Sequence, residues 1–332
     1  MATRPAPLAA AEPAPQHGDD RTGAPRPTAP RSLPATATDV LASLYQHRLM
    51  TTAQIHDLHH PGSHITWTRR VLRRLAALHL ADHVPRSDKS HRPVWFVTDS
   101  GAAAVEEAGQ VVTRTYRLSR EGAAGPLQAH TLGCNDIGLA FVRAARILGD
   151  DCGPLSWHHE WAARIADRGT SGRWSNLLTS DLLLRYLHRG ADGEQSAVRL
   201  VEYDRSHRDL DDVVAQLRAY ARFYAYKPAG QRHPHWQDDY ATFPRVLLVL
   251  DRGSPRALTA RRQSLTWMCR EDPLLARHAD PLGLLATTLA DLTAHGPWAP
   301  IFWPLTGDEA DAPEGPVTWT GHTALPEGGP RR

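Results

Sequence analysis

The stretch that most restricts the fold of this chain runs from Val198 to Tyr224, VRLVEYDRSHRDLDDVVAQLRAYARFY. An apolar run carries Glu202 and Asp204 to its end, and a long amphipathic segment follows at once. Successive side chains of a strand point to opposite faces, so two carboxylates one residue apart share a face and can reach a single site. The spacing predicts a helix over Asp209 to Tyr226, with Leu210, Val213, Val214, Leu217, Tyr220, Ala221 and Tyr224 on one stripe. That stripe must cover the sheet that presents the acids. Tyr220 and Tyr224 therefore read as core residues rather than as nucleophiles.

A second apolar run, LLTSDLLLRYL, carries Asp181 and also reads as a strand. Acidic side chains on neighbouring strand ends suggest a divalent-metal site, with Asp181, Glu202 and Asp204 as the reacting set. Glu160, between Trp157 and Trp161 on a strand predicted over Leu155 to Ile165, is a candidate to join Asp181 and Glu202 as a ligand. His158 and His159 beside it face opposite sides of that strand, so at most one reaches the same place. The plainer reading is that such acids cap the next helix or face water, and Asp209, Asp211 and Asp212 fit helix-start charge.

The order of these elements resembles a known family. Ser180-Asp181 on a strand, a polar hairpin, Glu202-Tyr203-Asp204-Arg205 on the next strand and a helix ending in Tyr220 and Tyr224 look like the C-terminal domain of the replication-relaxation proteins of plasmids and integrative elements. His130, Asn135-Asp136, Trp157 and Glu160 match looser positions, and the resemblance spans Thr38 to Leu250. It implies a restriction-endonuclease-like, PD-(D/E)xK-type α/β domain with a mixed sheet. It further implies Mg²⁺ held by Asp181 and Glu202, with Asp204 orienting a metal-bound water against a phosphodiester.

One departure bears on that chemistry. The nuclease motif needs a lysine two residues after the glutamate, where Asp204 stands. The chain has two lysines, Lys89 and Lys227, and neither adjoins the acids. Family helices often carry a lysine where Gln216 stands, and Arg205 stays protonated and cannot act as a base. Two readings stay open: a metal-dependent DNA nickase, or a non-catalytic DNA-binding or transcription regulator with a degenerate nuclease-like domain.

Upstream, residues 35–110 read as a winged helix-turn-helix. Val40, Leu41, Leu44 and Tyr45 make an apolar stripe, Thr51 or Thr52 caps a second helix, and Pro61-Gly62 breaks the chain. The third helix, predicted over His64 to Leu80, buries Val71, Leu72, Leu75 and Leu78 and sets Thr66, Arg69, Arg70 and Arg73 on another face. Two short strands then flank a polar tip, and T-x-x-G from Thr98 opens a last helix. In such a domain the third helix enters the major groove and the wing lies on the backbone. Thr66, Trp67, Arg69, Arg70, Arg73 and Arg74 are then the DNA-facing set, with Lys89 and Arg92 on phosphates.

A net charge of only +2 means that any such face must be local. Cys134, Cys152 and Cys269 form no CxxC, which argues against a disulfide framework or structural zinc. The chain shows neither a signal-peptide core nor a long apolar span, so the expectation is a cytoplasmic protein without a membrane. A Pro/Ala-rich arm is expected over 1–34, a first helix over Asp39 to Leu49, a linker over 111–128, the nuclease-like domain over 129–305 with further helices over His130 to Leu148 and Leu282 to Leu292, and a disordered tail over 306–332. The expected partners are double-stranded DNA, replication or transfer proteins and a second copy of the chain.

Overall fold

The stripe expected at Val40, Leu41, Leu44 and Tyr45 is buried in helix α1 (Ala35–His47), which begins a turn earlier than the pattern suggested. Strand β1 (Met50–Thr51) leads into α2 (Thr52–His59), and Thr51 and Gln54 close a reciprocal capping box at its start. Helix α3 (Thr66–Ala77) follows, then β2 (Ala81–Pro85), β3 (Pro93–Val97) and α4 (Asp99–Glu107). The three strands form an antiparallel sheet in the order β1-β3-β2. Thr98 caps α4 by accepting from Gly101 N at 3.1 Å. A Cβ at Gly101 would lie 1.9 Å from the Leu80 carbonyl oxygen, which is why the T-x-x-G turn takes glycine here.

The computed structural model describes residues 33–88, 90–109, 111–114, 116–167, 177–190, 193–307 and 315–321. Residues 1–32 with Arg21, Arg26 and Arg31, and also Lys89, lie outside the described residues. The unit that starts at Leu33 is compact and continuous.

After a short helix α5 (Arg120–Ala123) comes the long α6 (Gln128–Leu148), then the antiparallel strands β4 (Trp157–Arg164), β5 (Leu177–Gly190) and β6 (Gly193–Asp204). Helix α7 (Leu210–Ala225) crosses back to β7 (Arg245–Leu250), which runs parallel to β6. Helices α8 (Pro255–Glu271), α9 (Pro273–Arg277) and α10 (Ala279–Leu282) precede β8 (Leu285–Thr288), α11 (Leu289–His295) and β9 (Trp303–Pro304). The mixed sheet runs β4-β5-β6-β7-β8-β9, and helices pack on both faces. Leu182, Leu184, Val201 and Tyr203 share one apolar cluster with α6 and α1, while Leu183, Leu200 and Leu248 share another with α7 and α8. Gly133 lets α6 approach closely, since a Cβ there would meet the Tyr203 hydroxyl oxygen at 2.3 Å and its ring at 2.4 Å.

Three expectations change. The helix expected over Leu282 to Leu292 is interrupted by β8, because Leu285 to Thr287 are buried beside β7 and pair with it. The stretch 111–128 is strapped down rather than free. Arg114 lies over the Tyr45 ring at 4.7 Å, Arg117 grips Glu106 at 2.5 Å, and Gln128 is fully buried. In the expected tail, Val317 pairs with Phe302 and Trp319 is 1% exposed, because the aromatic wall of Phe141, Tyr186 and Trp298 gives that indole an apolar seat.

The N-terminal elements α1, β1 and α2 are joined to α6 and β4 by polar contacts. Asn135, 0% exposed, donates to Leu49 O at 2.6 Å and accepts from Trp157 Nε1 at 3.2 Å. Gln54 donates to Leu132 O and to Asp136, both at 2.8 Å, and Gln46 donates to Trp157 O at 2.9 Å. His47 stacks on Trp157 at 3.8 Å, and burial pushes its imidazole down to about 3. It is therefore a neutral packing group at ordinary pH.

Candidate functional site

Strands β5 and β6 pair from Gly190 and Gly193 up to Leu182 and Val201, then separate. At this fork the β4 register passes from His159 opposite Leu182 to Trp161 opposite Ser180, leaving Glu160 and Asp181 out of the ladder. Asp181 replaces the missing pairing with its side chain: Oδ2 accepts from Tyr203 N at 2.8 Å. Its Oδ1 lies 3.1 Å from His130 Nε2 on α6. Ser180, fully buried, donates from Oγ to Leu182 O at 2.9 Å and to Val201 O at 3.1 Å. The Ser-Asp pair thus holds the fork open and closes its hydrogen bonds.

Glu202 and Asp204 share the α7/α8 face of β6, as their spacing requires, but they meet different partners. Glu202 Oε1 accepts from the Tyr220 hydroxyl and from Gln216 Nε2 at 3.0 Å. Gln216 also donates to Thr179 O at 2.8 Å, so one amide bridges the two strands at the fork. Burial, with the Asp181 charge as the second cause, pushes the Glu202 carboxyl up to about 8. Asp204 is 1% exposed, and its Oδ2 accepts from Arg261 Nε of α8 at 2.6 Å. Arg208 lies between the two acids, 3.7 Å from Glu202 and 3.9 Å from Asp204. What links this pair is a guanidinium, and the neighbouring Arg205 is not one of its partners.

Glu160 stands apart. Its backbone has φ 52°, and its exposed carboxylate pairs with Arg48 of α1 at 2.6 Å. His159 bonds Asn135 Oδ1 at 2.8 Å, His158 bonds Gln46 at 2.7 Å, and burial holds both rings below their ordinary range. Of the looser candidates, His130 reaches the acids, whereas Asn135 bonds Leu49 and Asp136 accepts from Gln54 of α2.

This donor set does not fit a Mg²⁺ centre, which takes ionised oxygens with open positions around it. Glu202 favours its protonated form, Asp204 is taken by Arg261, and Glu160 is turned to Arg48. Among the described residues no group of three or more His, Cys, Asp or Glu is placed to hold a metal ion. Spacing reasoning missed Arg208, Arg261 and Tyr220 as partners of the acids. The one available signal was Gln216, which occupies the position of the family's helix lysine and does reach Glu202.

Helix α3 buries Leu72, Leu75 and Thr68, and Leu78 is 38% exposed where the stripe predicted burial. Thr66, Arg69, Arg70, Arg73 and Arg74 are exposed, and no acid among the described residues lies within ion-pair distance of the four arginines. Arg73 Nε donates to Arg69 O at 3.3 Å, which lays its chain along the helix. Trp67 packs against His60, with ring centres 3.6 Å apart. Arg92 is exposed in the β2–β3 turn. No described helix is long and apolar enough to cross a membrane.

No curated protein matches the chain. Among solved structures, a cysteine-to-serine mutant of MarR from E. coli aligns at 17% identity and a TM-score of 0.22. That alignment covers 30% of this chain, which spans 63% of the length of the MarR chain. A second structure, the Multiple Antibiotic Resistance Repressor MarR, aligns at 18% identity and a TM-score of 0.23 over 31% of this chain and 72% of that one. The sequence profile described as replication-relaxation matches residues 41–244, more than half of the 332 residues. The match takes in most of α1, the elements from β1 to α6, the forked strands with Asp181 and Glu202, and α7, and the chain belongs to the replication-relaxation family.

Proposed function

We propose that this protein binds duplex DNA through α3 and the β2–β3 wing, and acts in the replication, transfer or maintenance of a plasmid or other mobile element. The observation that carries the reading is the face of Arg69, Arg70, Arg73 and Arg74, exposed and without acid partners next to a short wing. Unpaired guanidiniums on an exposed helix favour phosphates and guanine edges, which neutralise and bond them together. The order α1-β1-α2-α3-β2-β3-α4 supports a winged helix docking α3 in the major groove.

The region from α6 to β7 has an antiparallel β4-β5-β6 meander, a crossover helix and a parallel β7. That arrangement supports a nuclease-like scaffold. The arginine and tyrosine partners of its acids favour a scaffold that binds and positions without cleaving.

The test is fluorescence anisotropy of labelled duplex DNA titrated with full-length protein, alongside an assay for nicking of supercoiled plasmid with Mg²⁺ or Mn²⁺. Wild type should bind duplex without nicking, and the triple variant R69A/R70A/R73A should lose most of the affinity while keeping its thermal transition. Unchanged affinity in the triple variant would remove the docking model. Nicking that disappears in D181A and E202A would replace the non-cleaving scaffold by a nuclease.

A further inference from the structure

At the opposite end of β6 from the acids, a cleft of about 270 Å³ opens on the α6 side of the sheet. Arg199 lies in its wall and pairs in register with Arg245, where the parallel ladder of β6 and β7 begins. Trp298, Trp319, His188 and Thr320 are among the other lining residues, and none of the described lining residues is acidic. Arg199 is only 7% exposed. Its guanidinium lies over the Trp319 ring at 4.7 Å and donates to Val198 O at 3.0 Å, yet its Nε is buried without a hydrogen-bond partner. Asp150, which bonds the lining residue His188, is held by Tyr186 at 2.6 Å and by His188 Nδ1 at 3.0 Å. Arg245 reaches the rim from the exposed start of β7, where it donates to Thr320 O at 3.2 Å.

A buried cation with an unsatisfied donor and a second cation beside it is costly unless an anion completes the set. Burial, followed by the charge of Arg245, pushes the Arg199 guanidinium down to about 9, which is the electrostatic trace of that missing partner. Two guanidiniums in one cleft offer the forked donors that suit an oxyanion, and the indoles beside them offer flat apolar surface. We propose that this cleft is a binding site for a small phosphate-bearing ligand, with Arg199 and Arg245 holding the phosphate oxygens. The site is separate from both the forked acids and the α3 arginines, and it does not depend on the DNA-binding reading.

The experiment is equilibrium dialysis of the full-length protein at constant ionic strength, with radiolabelled inorganic phosphate in one arm and radiolabelled AMP in the other. Thermal shift in the same solutions supplies an independent readout, because a ligand of the folded state raises the transition. Saturable uptake with a raised transition is expected, and AMP binding tighter than phosphate would assign the source as a nucleotide. R245A changes an exposed side chain. R199M replaces a buried unpaired cation by an apolar chain of similar length. Each should weaken uptake roughly tenfold or more, the effect of losing a charge-assisted hydrogen bond. If R199M does not fold, R245A carries the comparison alone. Absence of saturable uptake in both arms, or uptake that R245A leaves unchanged, overturns the assignment.

Discussion

Tyr220 on α7 donates its hydroxyl to Glu202 on β6, and both side chains are closed off from water, at 0% and 3% exposure. A phenol whose own ionisation is pushed well above its usual range by burial is a permanent donor. The pair therefore fixes the helix against the strand through a carboxyl group that holds its proton unusually late.

That carboxyl sets a pH dependence. Its folded pKa, about 8, lies above its ordinary value of 4.5, so the stability it contributes is full below about pH 4.5 and is lost as the pH rises through about 8. Urea unfolding across this window should show wild type losing stability relative to E202Q, with a slope of up to about 1.4 kcal/mol per pH unit. Parallel profiles for the two proteins would mean that Glu202 is ionised in the fold. Y220F should cost about 1–3 kcal/mol at pH 6, the penalty for a buried acceptor left short of a donor.

Arg261 is the closest partner of Asp204, and both are nearly buried, at 15% and 1% side-chain exposure. R261A should destabilise the protein by about 3–5 kcal/mol, because it strands a buried charge. D204N in the same background should recover part of that loss. A chemical denaturation series on wild type and the two variants decides it: an R261A midpoint equal to wild type would show that the acid is satisfied without Arg261.

Affinity for duplex DNA should fall steeply with salt, and the slope of log affinity against log salt should shrink by roughly 0.9 for each arginine removed that had neutralised a phosphate. Arg69, Arg70, Arg73 and Arg74, tested singly by anisotropy over a salt series, should each show this. A variant that loses affinity with an unchanged slope would identify an arginine facing a base edge instead.

Trp319 belongs to a segment whose composition suggests a tail, yet it packs against Phe141, Tyr186 and Trp298. W319A should cost about 3–5 kcal/mol, as other buried indoles do. A thermal scan of W319A superimposable on wild type would place the residue outside the stabilising core.

Local patterning located α1, α3, α6, α7 and the acid-bearing strands, because each carries an apolar period long enough to read. The same-face relation of Glu202 and Asp204 was equally visible, since it follows from strand geometry alone. What these acids touch was not legible. Arg261 lies 57 residues from Asp204, and Tyr220 carries the same stripe signal whether its hydroxyl is satisfied or idle. Strand β8 was hidden for a related reason, as LATT gains its extended form from pairing with β7. Asn135 looked like a companion of the acids but turned the other way, toward Leu49 and Trp157.

Asn135, Gln54 and Gln46 tie α1, α2 and Leu49 to α6 and β4, and α3 packs against α1 and α2. On the proposed docking of α3 in a groove, the sheet would follow the helix, so a single docking event would also set where the rest of the molecule stands on the DNA. Footprints of this protein should therefore be asymmetric and sharply bounded, as expected of a caliper rather than a tethered probe.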